Sequence, residues 1–538
     1  MVGKSMNPDV VMMICTAGHV DHGKTELVRL LTGCETDRLK TEKERGLTIE
    51  LGFAPCYLGG NRMVGIVDVP GHEKFIRNMV SGVSGIEFAI LVIAVDDGVM
   101  PQTIEHLQIM ELLGIHRGIV ALTKIDLAPP ELVEKRKKEI QDFLRGSFLE
   151  NTDIIPVSSV TLEGYDRFYH ALMSSIDQIS ISRGNDIFRL PVERVFTRKG
   201  FGVVISGIPL SGEIGTGDRV EAIPGGRNGK IRGMQRFLRD AEQGGEGQCL
   251  ALNIPDFDKD SVERGDVLAT PGFVRPARIF HLLLNSIPGI SHPLQNAEQI
   301  KFHTGTSEMN GKLYVVESRP NDIQQGKLFT VVLQNPVAAV RGDRVIIRRP
   351  SPAMTVAGGK IIFVTYSGKR PKKSHLIRKL KDYLSYMKDV RKGEKKYYER
   401  LTEYVLTREM TSGANTHQLA LELLIPENRV QAMLEEMVFK SCIIKLKKDY
   451  FIHPDSFKKI LENATTTIMN KAREENKLSI TDAEMRRILS LPPPVVQRII
   501  GELIRKNKLV KKGERYLFPE MAGKFENREQ GAIEKVYE

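Results

Sequence analysis

A chain of 538 residues, 41% hydrophobic and 27% charged, has the balance of a folded globular protein and is too long for one core; at about 150 residues per domain it predicts three to five domains. The absence of an apolar run of about 18 residues argues against a membrane span, the opening segment lacks the features of a secretory signal, and five cysteines without a Cys-x-x-Cys pair argue against zinc or a disulfide framework, so a reducing, cytoplasmic setting is expected. The formal net charge of +11 is concentrated in the tail, where residues 369–538 hold 36 Lys+Arg against 24 Asp+Glu, the footprint of a nucleic-acid-binding module, with a solvated lysine-rich surface as the plainer alternative.

The first element in chain order is the apolar run VVMMICTA, a strand, followed by a glycine loop and by KTELVRLLTG with Leu27, Leu30 and Leu31 at helical spacing. The loop reads Gly18-x-x-x-x-Gly23-Lys24-Thr25, a phosphate-cradling pattern. Backbone N–H groups along Val20, Asp21, His22 and Gly23 can wrap phosphates, Lys24 can reach the outer oxygens, and the Thr25 hydroxyl can ligate Mg²⁺. ERGLTIELGF then offers Thr48 as a second Mg²⁺ ligand. MVGIVDVPGHEKF is a strand ending at Asp68, whose carboxylate can hold the Mg²⁺ shell through water, and its Gly71 lets the backbone approach a γ-phosphate. GIVALTKIDL is a buried strand that leaves Thr123, Lys124 and Asp126 at its carboxyl edge, where Asp126 can accept from guanine N1 and N2. DIIPVSSVTLEG ends a further strand with Ser158 and Ser159, whose backbone N–H groups can face guanine O6. Five such fragments at the carboxyl ends of predicted parallel strands point to an α/β domain that binds GTP or GDP with Mg²⁺.

GHVDHGKT, RGLTIE, DVPGHEKFIRNM and TKID resemble the G domain of translational GTPases, the group of elongation factor Tu. The resemblance implies that His72 orients the attacking water once the ribosome pushes it into place, so that hydrolysis is slow until then. It gives His19 and His22 no catalytic role. Thr123 stands where much of the family has Asn, which leaves guanine selection with Asp126.

After SRGNDIFRL the pattern changes to short strands with glycine punctuation, which reads as a small closed barrel and, from about residue 273 to 364, a second one. Gly217-Asp218, Gly265-Asp266 and Gly342-Asp343 each place a tight turn before an apolar strand. LLTGCETDRLKTEKERGLTIELGFAP and RRPSPAMTVAGGKII are similar to the SelB family, the elongation factors that deliver selenocysteyl-tRNA, a resemblance over roughly residues 12–364. It implies an aminoacyl pocket on the first barrel with Glu193 and Arg194 at one place, and an arginine where this chain has Cys249. Either Arg194 suffices for a selenolate, or the pocket is retuned for cysteine or serine, or Cys249 is simply a small lining residue.

The tail then reads helix, short strand, helix, helix, hairpin, twice over, as a winged-helix repeat. The third helix of the first copy carries Glu427, Glu435 and Glu436, a poor surface for phosphate. The second copy offers Arg498, Arg505, Lys506, Lys508, Lys511, Lys512 and Arg515 and is the RNA-binding candidate, with spacer or docking modules as the alternative. SelB tails, by the resemblance, bind an mRNA stem-loop and in bacteria carry four winged helices, where this chain has room for about two. The expected architecture is therefore multidomain. An α/β P-loop GTPase domain occupies 1–183, β-barrels 184–272 and 273–366, a basic linker with the first α+β winged helix 367–455, and the second winged helix 456–538. The expected partners are aminoacyl-tRNA, the ribosome and an mRNA stem-loop, with no membrane and a monomeric state. A rival reading is a nucleotide-switched regulator whose winged helices bind DNA.

Overall fold

The computed structural model describes residues 9–35, 51–58, 62–69, 86, 88–179, 187–198, 200, 202–288, 293–317, 326–390, 394–475 and 477–519. They form two compact units, 1–381 and 382–538.

The first unit opens with the nucleotide-type domain. Its elements are β1 (Asp9–Ala17), α1 (Lys24–Thr32), β2 (Gly52–Leu58), β3 (Arg62–Asp68), β4 (Phe88–Ala94), α2 (Pro101–Leu112), β5 (Arg117–Thr123), α3 (Pro130–Phe143), β6 (Ile154–Pro156) and α4 (Tyr165–Asp177). The six strands lie in the order β2-β3-β1-β4-β5-β6, all parallel except the β2/β3 pair. Helices cover both faces, and β4, FAILVIA, is accordingly buried at every position rather than at every second one. Pro101 and Pro130 open their helices, where a missing N–H removes no helical bond. The parallel order brings the carboxyl ends of β1, β3, β4, β5 and β6 to one edge, and the motif loops follow those ends.

The first barrel is not one closed ladder, as the sequence reading had it. Its strands, from Arg189–Pro191 to Val267–Ala269, divide into sheets of five, four and two strands around one apolar core. The second barrel is closed by six strands, Ala277–Ser286, Glu298–Thr304, Ser307–Glu317, Lys327–Val337, Arg344–Pro350 and Ala353–Thr365. The three Gly-Asp turns share one construction. Gly217, Gly265 and Gly342 sit at φ of 97°, 106° and 91°, in the region that favours glycine. Each following aspartate accepts from the backbone N–H three residues before it: Asp218 from Gly215 at 2.7 Å, Asp266 from Glu263 at 3.1 Å and Asp343 from Val340 at 2.9 Å. Asp343 does more, because its two oxygens take a bidentate pair from Arg189, both at 2.9 Å, and so tie the second barrel to the first.

Helix α2 links the nucleotide domain to the second barrel, with Glu105 accepting from Thr355 at 3.1 Å and Leu112 packed at Gly358. Residues just past the expected boundary at 366/367 make contacts within the first unit. Arg370 stacks on the Tyr314 ring and Lys379 sits 3.5 Å from the centre of the Phe363 ring, so the start of the basic linker is held by cation–π contacts within the first unit.

The second unit contains the sequence helix, strand, helix, helix, hairpin twice: Lys395–Tyr404, Ala414–Asn415, Thr416–Leu423, Glu427–Phe439 and the hairpin Ile444–Lys447/Tyr450–Ile452, then Pro454–Glu474, Ser479–Thr481, Asp482–Leu489, Pro493–Arg505 and Val510–Lys512/Arg515–Leu517. Both middle helices start with a full capping box, Asn415 with Gln418 and Thr481 with Glu484. Ile444, Leu446 and Tyr450 of the first hairpin pack against the core of the second copy, so the two copies share apolar contacts.

Candidate functional site

The phosphate loop bends where its sequence allows. Gly18 has φ 138°, and a Cβ there would lie 2.1 Å from the Val92 carbonyl oxygen, so nothing larger fits. Gly23, left-handed at φ 81°, delivers the chain into α1, whose first-turn N–H groups have no acceptor within the helix. Lys24 is buried and donates to the His19 carbonyl at 2.5 Å. Burial lowers its ammonium to about 8, against the opposing pull of Asp68 and Asp21. Thr25 Oγ1 donates to Asp68 Oδ2 at 2.8 Å, and Thr16 Oγ1 donates to the other carboxylate oxygen at 3.0 Å. A hydroxyl and a carboxylate brought together at a helix N-terminus beside a lysine form an oxygen donor set that suits Mg²⁺ and an anionic ligand. Thr48, Gly71 and His72 lie outside the described residues.

The guanine-side residues gather at the ends of β5 and β6. Lys124 has φ 59° and pairs with Asp96 at 3.2 Å. Asp126 Oδ1 accepts from Ser158 Oγ at 2.5 Å, and Ser158 is itself buried, whereas Ser159 is exposed. Thr123 donates to the His22 carbonyl at 2.7 Å, which straps the phosphate loop to β5.

Sequence reasoning missed the residues under the loop. The Gly18 N–H donates to His106 Nδ1 at 3.0 Å and the Val20 N–H to Gln102 Oε1 at 3.3 Å, both from α2. Gln102 and His106 are four residues apart on one helical face, a signal the sequence held. The His22 ring is buried under the loop, with Nδ1 3.4 Å from the Val92 carbonyl oxygen. Burial lowers His22 to about 4 and His106 to about 3, so both are neutral imidazoles.

A second concavity, about 110 Å³, lies between the nucleotide domain and the first barrel. It is lined by Phe53 and Pro55 of β2 and, across the barrel sheet, by Arg194, Ser206, Gln235, Phe237 and Cys249 among others. Glu193 is a correction. It stands immediately before the strand that opens with Arg194, and its carboxylate pairs with Arg264 at 2.8 Å instead of lining the cavity.

In the tail, each acidic residue of the first copy's third helix has a basic or imidazole partner nearby. Glu427 pairs with His417, Glu435 with Lys445, and Glu436 with Lys395 and Lys440. In the second copy Arg498 and Arg505 both turn to Glu502, and Arg515 Nε donates to Ser479 Oγ at 2.7 Å. Lys506, Lys511 and Lys512 are exposed and Lys508 half-buried, with no ion pair from any of the four among the described residues. Arg498, Arg505 and Arg515 remain exposed, so the seven basic residues still face solvent, with Glu502 shared between two of them.

Residues 9–178 match the elongation factor Tu GTP-binding domain family, and residues 285–367 match the β-barrel domain of the selenocysteine-specific elongation factors. A selenocysteine-specific elongation factor of Desulfomicrobium baculatum is 43% identical over 64% of this chain, and the match spans 55% of that relative's length. The crystal structure of a bacterial selenocysteine-specific elongation factor shares the fold, with a TM-score of 0.64 at 22% identity over 95% of this chain and all of that one. Elongation factor Tu 2 of Streptomyces avermitilis is 32% identical over 57% of this chain and 86% of its own length. The chain belongs to the elongation factor Tu family of GTP-binding proteins, in its SelB-type branch.

Proposed function

We propose that the protein is a GTP-dependent carrier of aminoacyl-tRNA to the ribosome, with selenocysteyl-tRNA as its cargo, acting as a monomer in the cytoplasm. The observation that carries the reading is the pairing, in one compact unit, of the Thr25–Asp68 donor set with a small cavity in which Arg194 is the only charged residue among the described lining. When bound, GTP and Mg²⁺ supply a terminal phosphoryl group whose transfer to water ends the carrier state. Lys24 and the α1 N-terminus bind the phosphates, Thr25 and Asp68 would hold the metal, with Thr48 as the further ligand the sequence offers, and Asp126 and Ser158 select guanine. His72 orients the attacking water when the ribosome engages.

A cationic cavity rewards an anionic side chain. A selenol is largely ionised at neutral pH, whereas a cysteine thiol, with pKa about 8.5, is mostly neutral there. Cys249 supports a second reading, a SelB-type scaffold retuned for cysteinyl- or seryl-tRNA, because it lines the same cavity as Arg194. The tail, read as two winged helices, binds an mRNA stem-loop through the wing lysines Lys511 and Lys512 with Lys506 and Lys508.

The test is protection of one tRNA, charged in turn with selenocysteine, cysteine and serine, against spontaneous deacylation in the presence of GTP. Preferential protection of the selenocysteyl form is expected. Equal protection of the cysteinyl or seryl form supports the retuned cargo, and no protection of any form overturns the carrier reading.

A further inference from the structure

The cavity beside Arg194 is closed by two bodies, and one side chain reaches both. Its floor is a cross-strand row of the five-stranded barrel sheet: Gln235 is paired with Ala251, Ala251 with Ser206, and Ser206 with Arg194. Its far wall is Phe53 and Pro55 of β2. Phe237 seals the seam, packed so closely on β3 that a Cβ at Gly65 would lie 2.5 Å from its ring.

Arg194 leaves the row and crosses the seam. Its Nη2 donates to the Leu51 carbonyl at 2.9 Å, immediately ahead of β2. The next residue, Gly52, is the β-ladder partner of Asp68. Asp68 in turn holds the Thr25 hydroxyl at 2.8 Å and the Thr16 hydroxyl at 3.0 Å. One guanidinium therefore touches the side-chain cavity and the end of the strand pair that carries the metal-side carboxylate. A planar fork with five donors suits this double duty, whereas a lysine ammonium at the same place is a compact point charge.

We infer that Arg194 couples the aminoacyl cavity to the nucleotide site: it contacts the cargo side chain in the geometry that the Leu51 carbonyl sets, so that the arrangement of Asp68 and Thr25 biases cargo affinity and cargo biases nucleotide affinity. This rests on the carrier reading above and adds to it the residue through which the two sites exchange free energy. Such coupling is reciprocal by thermodynamic necessity. Leu51, Gly52 and Asp68 form the element whose position both ligands bias, and a contiguous contact path counts only when the coupling itself is measured.

The experiment uses the full chain and selenocysteyl-tRNA, with deacylation protection titrated in a non-hydrolysable GTP analogue and in GDP. The quantity read is the ratio of the two apparent Kd values. Arg194→Lys keeps the positive charge but not the fork, and is expected to lower that ratio at least tenfold, with an equal loss in the tightening of the GTP analogue by cargo. Ser206→Ala, in the same row without the Leu51 bond, is expected to weaken cargo by the same factor in both nucleotide forms and leave the ratio intact. An Arg194→Lys protein whose cargo affinity falls equally in both forms overturns the coupling and leaves Arg194 as a cavity cation. So does a Ser206→Ala protein that loses the ratio as fully as Arg194→Lys. Wild-type protein that protects no aminoacyl-tRNA in either form overturns the carrier reading itself.

Discussion

The bond between the two barrels is open to a quantitative test at Arg189 and Asp343. Their side chains are 4% and 7% exposed and joined by two parallel bonds of 2.9 Å, with Arg189 Nε also donating to Ser211 Oγ at 3.2 Å. Removing one partner of such a pair leaves the other charged and buried, which costs about 3–5 kcal/mol. Arg189→Ala and Asp343→Ala are each expected to destabilise by that amount. In the double variant Arg189→Met/Asp343→Leu no charge is stranded, and replacement of a buried pair by apolar groups is often neutral. It still loses the acceptor for the Val340 N–H, a cost of about 1–3 kcal/mol, so it is expected to lie within about 3 kcal/mol of wild type. The coupling energy of the cycle should then be about 3 kcal/mol or more. Calorimetry is the assay, because a chain of several domains need not unfold in one step and the absence of tryptophan leaves little intrinsic fluorescence. For a unit of 150–250 residues each kcal/mol moves Tm by about 2–4 °C, so each single variant should lower the barrel transition by about 6–20 °C. Single variants that shift it by less than about 2 °C, or that add to the double variant without coupling, would refute the assignment of this pair as the buried tie between barrels.

Three further outcomes follow from the same structure. Lys24 is lowered to about 8, so in the ligand-free protein its ammonium is lost as pH rises past that value. Affinity for a labelled guanine nucleotide should be flat from pH 6.5 to 7.5 and fall toward tenfold per pH unit above about 8; a flat profile to pH 9.5 contradicts the buried lysine. His22 and His106 are held at about 4 and about 3, below the ordinary 6.5, so the unfolded chain binds protons that the folded chain does not as pH falls through 6.5. Their contribution is complete above pH 6.5 and is lost below it, with a combined slope approaching about 2.7 kcal/mol per pH unit. His106→Gln should remove about half of that slope in acid-unfolding measurements, and an unchanged slope counts against a neutral His106. In the tail, Lys511→Ala/Lys512→Ala should reduce the slope of log affinity for an RNA hairpin against log salt by about 1–2, with a larger loss at low salt; an unaltered slope removes the wing from the RNA surface.

Local rules read from sequence account for the loop and the turns. The glycines at 18 and 23, the lysine and the threonine must stand at fixed spacing because phosphate contact is made by consecutive backbone, and Gly18 and Gly23 hold φ values of 138° and 81°. The Gly-Asp turns were legible for the same reason: each aspartate accepts from the backbone N–H three residues before it, a local bond that spacing alone sets. The order of strands and helices in both tail copies also follows from period and punctuation. What separated in sequence could not be read this way. Glu193 and Arg194 are adjacent letters, yet one pairs with Arg264 and the other with the Leu51 carbonyl, and no local pattern chooses the partner. The basic residues of the second copy look alike in sequence, and only the helix geometry sets Glu502 against both Arg498 and Arg505 while the wing lysines pair with no carboxylate among the described residues. His106, 88 positions from Gly18, and Asp343, 154 positions from Arg189, met their partners only when the sheet and barrels closed. The sequence alone determined which backbone segments could cradle an anion, turn or pair; the tertiary structure alone decided which charges face one another, because side-chain partnership depends on distances that the chain sets only when it packs.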